Sequence, residues 1–353
     1  MTTADPATVG ADPATVGPWL AAQTGDEAWR GAAVQLIAGG KSNLTYLVTA
    51  PGRSVILRRP PTGQILPTAH DMMREARVIG ALGPTGFPVP GIVAVERTGA
   101  LIGQPFYVMQ RVAGHIVRDA FPDGYAHTAD DHTNVARQLI DTLADLHRTD
   151  YTAAGLADFG RPDGYLGRQV RRWTKQSAAS TDVPVPGLAE LGEELGTALP
   201  MHSDATIVHG DFRLDNCVLD PTEVGRIAAV LDWEMSTLGD PLADLGVLLV
   251  YWAQTADQVA EALQHIIPKI TQQEGFPDRA GVAELYATNS GRDLSVLPFY
   301  VAFGYFKLAV VIQGIVARQL AGAMGGQDFG PMGDLVGALA DRGRSCLADR
   351  TLG

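Results

Sequence analysis

The sequence predicts an α+β chain in two lobes, a small antiparallel-sheet lobe followed by a larger, mostly helical one. Three observations predict it. At 353 residues the chain is long enough for two cores, since a domain typically takes about 100–200 residues. Short β-type runs bounded by Gly, Pro, Asn and Asp fill the stretch before residue 110, whereas apolar residues recur at helical spacing from about His115 onward. Gln110-Arg111-Val112-Ala113-Gly114 lies between them and reads as a hinge. The expected organisation is an extension over 1–28, a first lobe over 29–109, the hinge over 110–114 and a second lobe over 115–353.

Composition narrows the class. A hydrophobic share of 46% suits a globular, well-buried chain. The net charge of −12 argues against nonspecific nucleic-acid binding, which relies on a basic surface. Cys217 and Cys346 are too few for a disulfide framework or a thiolate zinc site, and a reducing, cytoplasmic setting is expected. The first residues lack the basic start and apolar run of a secretory signal. The run 296–316 is strongly apolar, yet Lys307, Gln313 and its Gly and Pro residues predict a buried helix rather than a membrane span.

Taken in order, the chain opens with the heptad Ala-Asp-Pro-Ala-Thr-Val-Gly at 4–10, repeated at 11–17. Two copies do not make a solenoid, so this reads as a non-catalytic extension, with a helix starting near Pro18. Strands are expected at 34–37 and 44–48 around Ala38-Gly39-Gly40-Lys41-Ser42-Asn43, a turn small enough for its backbone N–H groups to approach phosphate. Gln35 stands where a P-loop would need glycine, and strand-turn-strand flanks do not suit that motif. A third strand at 55–58 ends in Arg58, with Arg59 next in the chain. The helix over 69–79 puts Met72, Ala76 and Ile79 on one face and carries Glu75. Strands at 92–95 and 105–109 complete the sheet.

In the second lobe Val135, Leu139, Leu143 and Leu146 mark a helix over 134–147. Within 163–177, Arg168, Arg171, Arg172 and Lys175 fall at i, i+3, i+4 and i+7, which places four cations on one helix face. Such a face is either an anion site or a solvated basic surface. Helices over 188–199, 245–252 and 296–316, a loop over 322–330 and a short closing helix follow.

The chemistry concentrates in His209-Gly210-Asp211-Phe212-Arg213-Leu214-Asp215-Asn216 and in Asp232-Trp233-Glu234. A carboxylate followed five residues later by a carboxamide suits a catalytic loop, because Asp211 can take a hydroxyl proton while Asn216 holds a divalent cation. Runs at 217–219 and 227–231, separated by a turn-rich stretch, read as a hairpin that would carry Asp232 back toward Asn216. Two oxygen ligands beside a nucleotide are what Mg²⁺ requires, since water and phosphate complete its shell.

This set, with Gly239-Asp240-Pro241-Leu242-Ala243-Asp244-Leu245 beyond it, resembles the catalytic and metal loops of the protein-kinase-like fold in the form used by the aminoglycoside phosphotransferase family. The strand Leu57-Arg58-Arg59-Pro60-Pro61 resembles most the branch related to the kinase-like domains of acyl-CoA dehydrogenase fusion proteins. The resemblance implies that Asp211 orients and deprotonates the acceptor, that Arg213 meets the transferred phosphoryl group, and that Asn216 and Asp232 ligate Mg²⁺. Asp244 would brace the loop. Gly40, Ser42 and Asn43 would belong to a hairpin lid over the phosphates of ATP or GTP. Arg58, or alternatively Arg59, would replace the phosphate-holding lysine of kinases, with Glu75 as its partner; Met109, Gln110 and Val112 would offer backbone to the base. Arg168, Arg171, Arg172, Lys175 and Glu234 are the candidate acceptor residues.

The expected activity is Mg²⁺-dependent transfer of a γ-phosphoryl group to a hydroxyl of a small molecule. A hydroxyacyl-CoA or other phosphate-bearing alcohol is the favoured acceptor. The alternatives are an aminoglycoside-type antibiotic kinase, a catalytically weak nucleotide-binding regulator, for which the Arg58 substitution argues, and a metal-dependent hydrolase built on His209 and Asp211, which lacks a His-rich partner motif.

Overall fold

The computed structural model describes residues 10–37, 43–62, 71–180, 185–201, 203–255, 257, 266–320 and 333–353. Gly40 and Ser42, residues 4–9 of the first heptad and the loop 322–330 lie outside the described residues. The chain divides into two compact units, Met1–Ala113 with Ala228–Ser236, and Gly114–Ile227 with Thr237–Gly353.

The first unit begins with α1 (Pro13–Thr24), five residues earlier than Pro18 suggested. Asp12 caps it, its side chain accepting the Ala14 N–H at 3.0 Å, and Pro13 occupies a first-turn position where a missing N–H costs nothing. The second heptad copy thus supplies the cap and first turn of a core helix. Residues 11–24 correct the expectation of an extension, because Ala11, Val16, Leu20 and Ala21 are buried against Trp29, Tyr46 and Phe106. Gly17 permits the contact, since a Cβ there would lie 2.6 Å from the Trp29 carbonyl oxygen.

The sheet of this unit contains β1 (Ala33–Leu36), β2 (Leu44–Ala50), β3 (Arg53–Arg59), β4 (Ile92–Glu96) and β5 (Phe106–Gln110) in the order β1-β2-β3-β5-β4, antiparallel throughout. Alternation buries Tyr46 and Val48 of β2 with Val55 and Leu57 of β3. Before β4 comes α2 (Met72–Leu82), capped by Asp71, whose carboxylate accepts from Met73 N at 3.1 Å and Arg74 N at 3.0 Å. Met72, Ala76, Ile79 and Leu82 form its buried face, joined by the charged Glu75.

In the second unit β6 (His115–Ile116) pairs with β8 (Cys217–Leu219). Gly114 makes that approach feasible: at φ +150° it sits where a Cβ would come 2.2 Å from the Leu219 carbonyl oxygen. The helix α3 (Ala129–Arg148) starts in a reciprocal box between Thr128 and Asp131 and buries Val135, Leu139, Leu143 and Leu146. Then come α4 (Tyr165–Ser180), α5 (Leu188–Thr197) and β7 (Thr206–Val208), which pairs with β10 (Thr237–Gly239). Between β8 and β10, β9 (Ile227–Val230) carries the chain back into the first unit. The last helices are α6 (Leu242–Tyr251), α7 (Arg279–Ser290), α8 (Leu297–Leu320) and α9 (Gly333–Asp349).

α8 is long and apolar enough to cross a membrane, but 78% of its apolar window is buried inside the structure, as a core helix requires. Its contact with α6 is set by glycines. A Cβ on Gly246 would meet the Tyr300 carbonyl oxygen at 2.4 Å, and one on Gly304 would meet Val250 Cγ2 at 2.9 Å. These helices therefore approach backbone to backbone, which gives their side chains a fixed reach toward the loop that follows β7.

Candidate active site

In the second unit, β7 delivers His209 into full burial, and the next peptides are gripped by one carboxylate. Asp244, in the first turn of α6, accepts the His209 N–H on Oδ2 and the Gly210 N–H on Oδ1, each at 2.7 Å. Gly210 takes φ +87°, a left-handed conformation that glycine adopts without strain. Behind Asp244 stands His147, also fully buried, with Nε2 at 3.3 Å from Asp244 Oδ2 and Nδ1 at 2.7 Å from the Tyr286 hydroxyl. His147 is thus a buried support at the end of α3. Asp240 braces the same helix start by accepting from Leu242 N at 2.9 Å and from the Tyr300 hydroxyl at 2.8 Å.

Asp211 is the focus of this loop. Arg213 Nε donates to its Oδ2 at 3.2 Å, and the Asn216 amide donates to the same oxygen at 3.1 Å and to the Asp211 carbonyl at 2.8 Å. Burial alone would raise its pKa, but the charges of Arg213, Lys307 and His209 outweigh burial and hold it below the usual carboxylate range. Arg213 is itself fixed, by Asp215 at 3.1 Å and by the Tyr251 ring, whose centroid lies 4.6 Å from the guanidinium carbon. With its amide nitrogen engaged by Asp211, the Asn216 amide oxygen makes no hydrogen bond among the described residues. Among the described residues no three His, Cys, Asp or Glu side chains gather into a metal site. A cation held here would therefore need phosphate or water in its shell, as Mg²⁺ does.

The first unit holds the second constellation. Arg58 Nη1 lies 3.1 Å from Glu75 Oε1, and Arg58 Nη2 donates to Asp232 Oδ1 at 2.9 Å. The guanidinium is almost buried, and its pKa is raised because the Glu75 and Asp232 charges overcome the desolvation that would lower it. Glu75, also buried, is pushed up to about 7 by desolvation, against the pull of Arg58. Arg59, the alternative to Arg58, is turned to structure instead: it donates to the carbonyls of Pro60, Gly10 and Ile102. The strand register sets Arg58 opposite Tyr107 on β5. Asp232 has φ +65°, a left-handed conformation rare for a residue with a side chain. Asn43 Nδ2 donates to Glu234 Oε2 at 2.9 Å, which ties the residue just before β2 to those after Asp232. At the end of β5 Met109 is buried in the sheet, and the Gln110 N–H is engaged by Gly91 O at 2.8 Å.

The four cations of α4 separate. Arg168 folds back onto the carbonyls of Asp163 and Arg161. Arg171 and Lys175 are exposed, and Arg172 lies 5.6 Å from the ring centroid of Trp173. Glu234, grouped with them in the sequence reading, belongs to the first unit. The residue that sequence reasoning missed is Lys307. Its ammonium leaves the middle of α8 and donates to the Gly210 carbonyl, beside Asp211. A single lysine in a long apolar helix was the available signal.

The sequence model described as "Phosphotransferase enzyme family" matches residues 33–285. The human acyl-CoA dehydrogenase family member 11 is 36% identical over 318 residues, which cover 88% of this chain and 39% of that protein. The chain thus spans well under half the length of that relative. A provisionally assigned aminoglycoside phosphotransferase from Ralstonia eutropha JMP134 superposes with a TM-score of 0.78 at 31% identity, covering 96% of this chain and 98% of the other. APH(4)-Ia, solved as a thermostable mutant with AMP-PNP and hygromycin B, gives a TM-score of 0.58 at 14% identity and covers 94% and 98%, a likeness of fold alone. The fold is protein-kinase-like, with a five-stranded antiparallel sheet in the first unit and a mainly helical second unit.

Proposed function

The chain belongs to the phosphotransferase enzyme family, and we propose that it moves the γ-phosphoryl group of ATP or GTP to a hydroxyl of a small molecule, with Mg²⁺ as cofactor. The observation that carries this reading is the Asp211 carboxylate, kept ionised by Arg213 and hydrogen-bonded to Asn216 on a loop that Asp244 clamps. Asp211 orients the acceptor hydroxyl and takes its proton as the bond to phosphorus forms. A weakly basic carboxylate suits a loose transition state, in which the proton leaves late. Arg213 lies beside Asp211, where it can meet the charge on the transferred group. Asn216 and Asp232 would hold Mg²⁺, which when bound neutralises phosphate charge. Asn216 closes the turn before β8 and Asp232 follows β9, consecutive strands joined by a turn in which Asp220 N donates to Arg226 O at 2.8 Å. The AMP-PNP held by APH(4)-Ia supports a nucleotide as donor.

Arg58 is assigned to the α- and β-phosphates. Arg58→Ala is expected to weaken triphosphate binding by about tenfold or more, since hydrogen bonds to charged groups are worth about 1.5–3 kcal/mol, while nucleoside binding changes little. Calorimetric titration with ATP and with adenosine checks this. Equal losses for both ligands would remove Arg58 from the phosphate site.

For the acceptor, the proposal is a hydroxyacyl-CoA or another phosphate-bearing alcohol. The exposed cations Arg171, Arg172 and Lys175 support it, and the human relative is named for acyl-CoA chemistry. The net charge of −12 points the other way, but a distributed charge is screened beyond about 8 Å at physiological ionic strength. The Ralstonia neighbour motivates the second reading, an aminoglycoside acceptor. Incubation with MgATP and 3-hydroxybutyryl-CoA or kanamycin, scored by product mass, separates the two. Phosphorylated CoA thioester is expected, with its KM raised about tenfold by the double reversal Arg171→Glu/Arg172→Glu. Efficient kanamycin phosphorylation, indifferent to that reversal, would make the basic face mere solvated surface.

A further inference from the structure

Lys307 is only 9% exposed and projects from the apolar helix α8. Burying an ammonium is costly unless opposite charge and hydrogen bonds compensate. The compensation found here comes from the catalytic loop. Lys307 Nζ donates to the Gly210 carbonyl; burial holds its pKa below the usual lysine value, and the charges of Asp211 and Asp244 offset part of that while those of Arg172 and Arg213 add to it. The Trp173 ring of α4 adds a cation–π contact at 5.8 Å.

The Gly210 backbone is thereby held by both its polar groups. Its N–H goes to Asp244 of α6, and its carbonyl goes to Lys307 of α8. Both side chains stand next to the glycines that set the spacing of these helices, Asp244 two residues before Gly246 and Lys307 three after Gly304. The grip is built into one close-packed helix pair, and the residue that follows it is Asp211.

We propose that Lys307 is a positioning residue: from α8 it holds the Gly210 carbonyl and so fixes the Asp211 carboxylate for the reacting hydroxyl. Its bearing on transfer rests on the phosphotransferase reading; its hold on the loop does not. The consequence is that α4 and α8 are mechanically joined to the catalytic loop through Trp173 and Lys307.

Hydrogen–deuterium exchange on the full chain without ligand tests the hold. Lys307→Met keeps the stem and removes the charge. Exchange at 209–211 is expected to rise about tenfold or more, as for loss of a charge-assisted hydrogen bond, while α6 and α8 stay protected. Lys307→Gln, which keeps a donor, is read in the same way should the methionine variant not fold, and is expected to fall between the two. In MgATP assays with 3-hydroxybutyryl-CoA, Lys307→Met should lower kcat about tenfold with KM and nucleotide affinity nearly unchanged. Unchanged loop exchange in a folded variant overturns the proposal, as does a uniform rise across the whole chain. A loosened loop in a protein whose native form transfers no phosphoryl group would uphold the positioning role and overturn the phosphotransferase reading instead.

Discussion

Asp211→Asn is expected to lower phosphoryl transfer by about 10²–10⁴-fold, the range that a positioned acid–base group contributes, while nucleotide binding stays within a few-fold of native. The substitution is nearly isosteric, so the carbonyl bond from the Asn216 amide can persist. What disappears is the charge that Arg213 and Lys307 stabilise and the oxygen that would receive the hydroxyl proton. Turnover and nucleotide titration on the same preparation separate the two effects. A variant turning over at nearly the native rate would leave Asp211 without a catalytic role.

Asp244→Ala should be the more damaging change to the fold. Two backbone N–H groups lose their acceptor, and His147 loses a partner inside a fully buried pocket. Each stranded buried donor costs about 1–3 kcal/mol, so a loss of roughly 2–5 kcal/mol is expected, with activity falling because the loop carrying Asp211 is no longer held. Urea unfolding measures the first effect. Asp244→Asn should sit between, since its one amide oxygen can serve one donor while its NH₂ faces the other. Unfolding midpoints equal to native for the alanine variant would show that the loop is held by other means.

The residues differ in how openly the sequence declared them. α2 and α3 were legible because their apolar residues recur at helical spacing and Asp71 and Thr128 provide caps. The loop 209–216 stands out in the sequence by its carboxylate and carboxamide at a fixed separation, and in the structure Arg213 and Asn216 both hydrogen-bond to Asp211. By contrast β6, β7 and β10 are two or three residues long, too short for a strand period to show, and their pairing is set by distant segments. α1 starts at Pro13 rather than near Pro18 because Asp12 caps it there and Val16 is buried, neither of which the spacing of apolar residues alone shows. Arg58 and Arg59 are adjacent on a strand, so spacing alone does not separate the one that meets Glu75 and Asp232 from the one that holds backbone carbonyls. Lys307 could not be assigned in advance: its partner is 97 residues away, and only the packing of α6 on α8 brings it to Gly210.

The role proposed for Asp211, with Asn216 and Asp232, is Mg²⁺-dependent transfer of a phosphoryl group to a hydroxyl. Mass spectrometry of a hydroxyl-metabolite mixture incubated with the purified chain, Mg²⁺ and ATP or GTP tests it most directly, with Asp211→Asn and a chelator-treated sample alongside. One metabolite heavier by a single phosphoryl group is expected in the native sample and in neither control. Nucleotide hydrolysis without any phosphorylated metabolite, or the same product from Asp211→Asn, would contradict it.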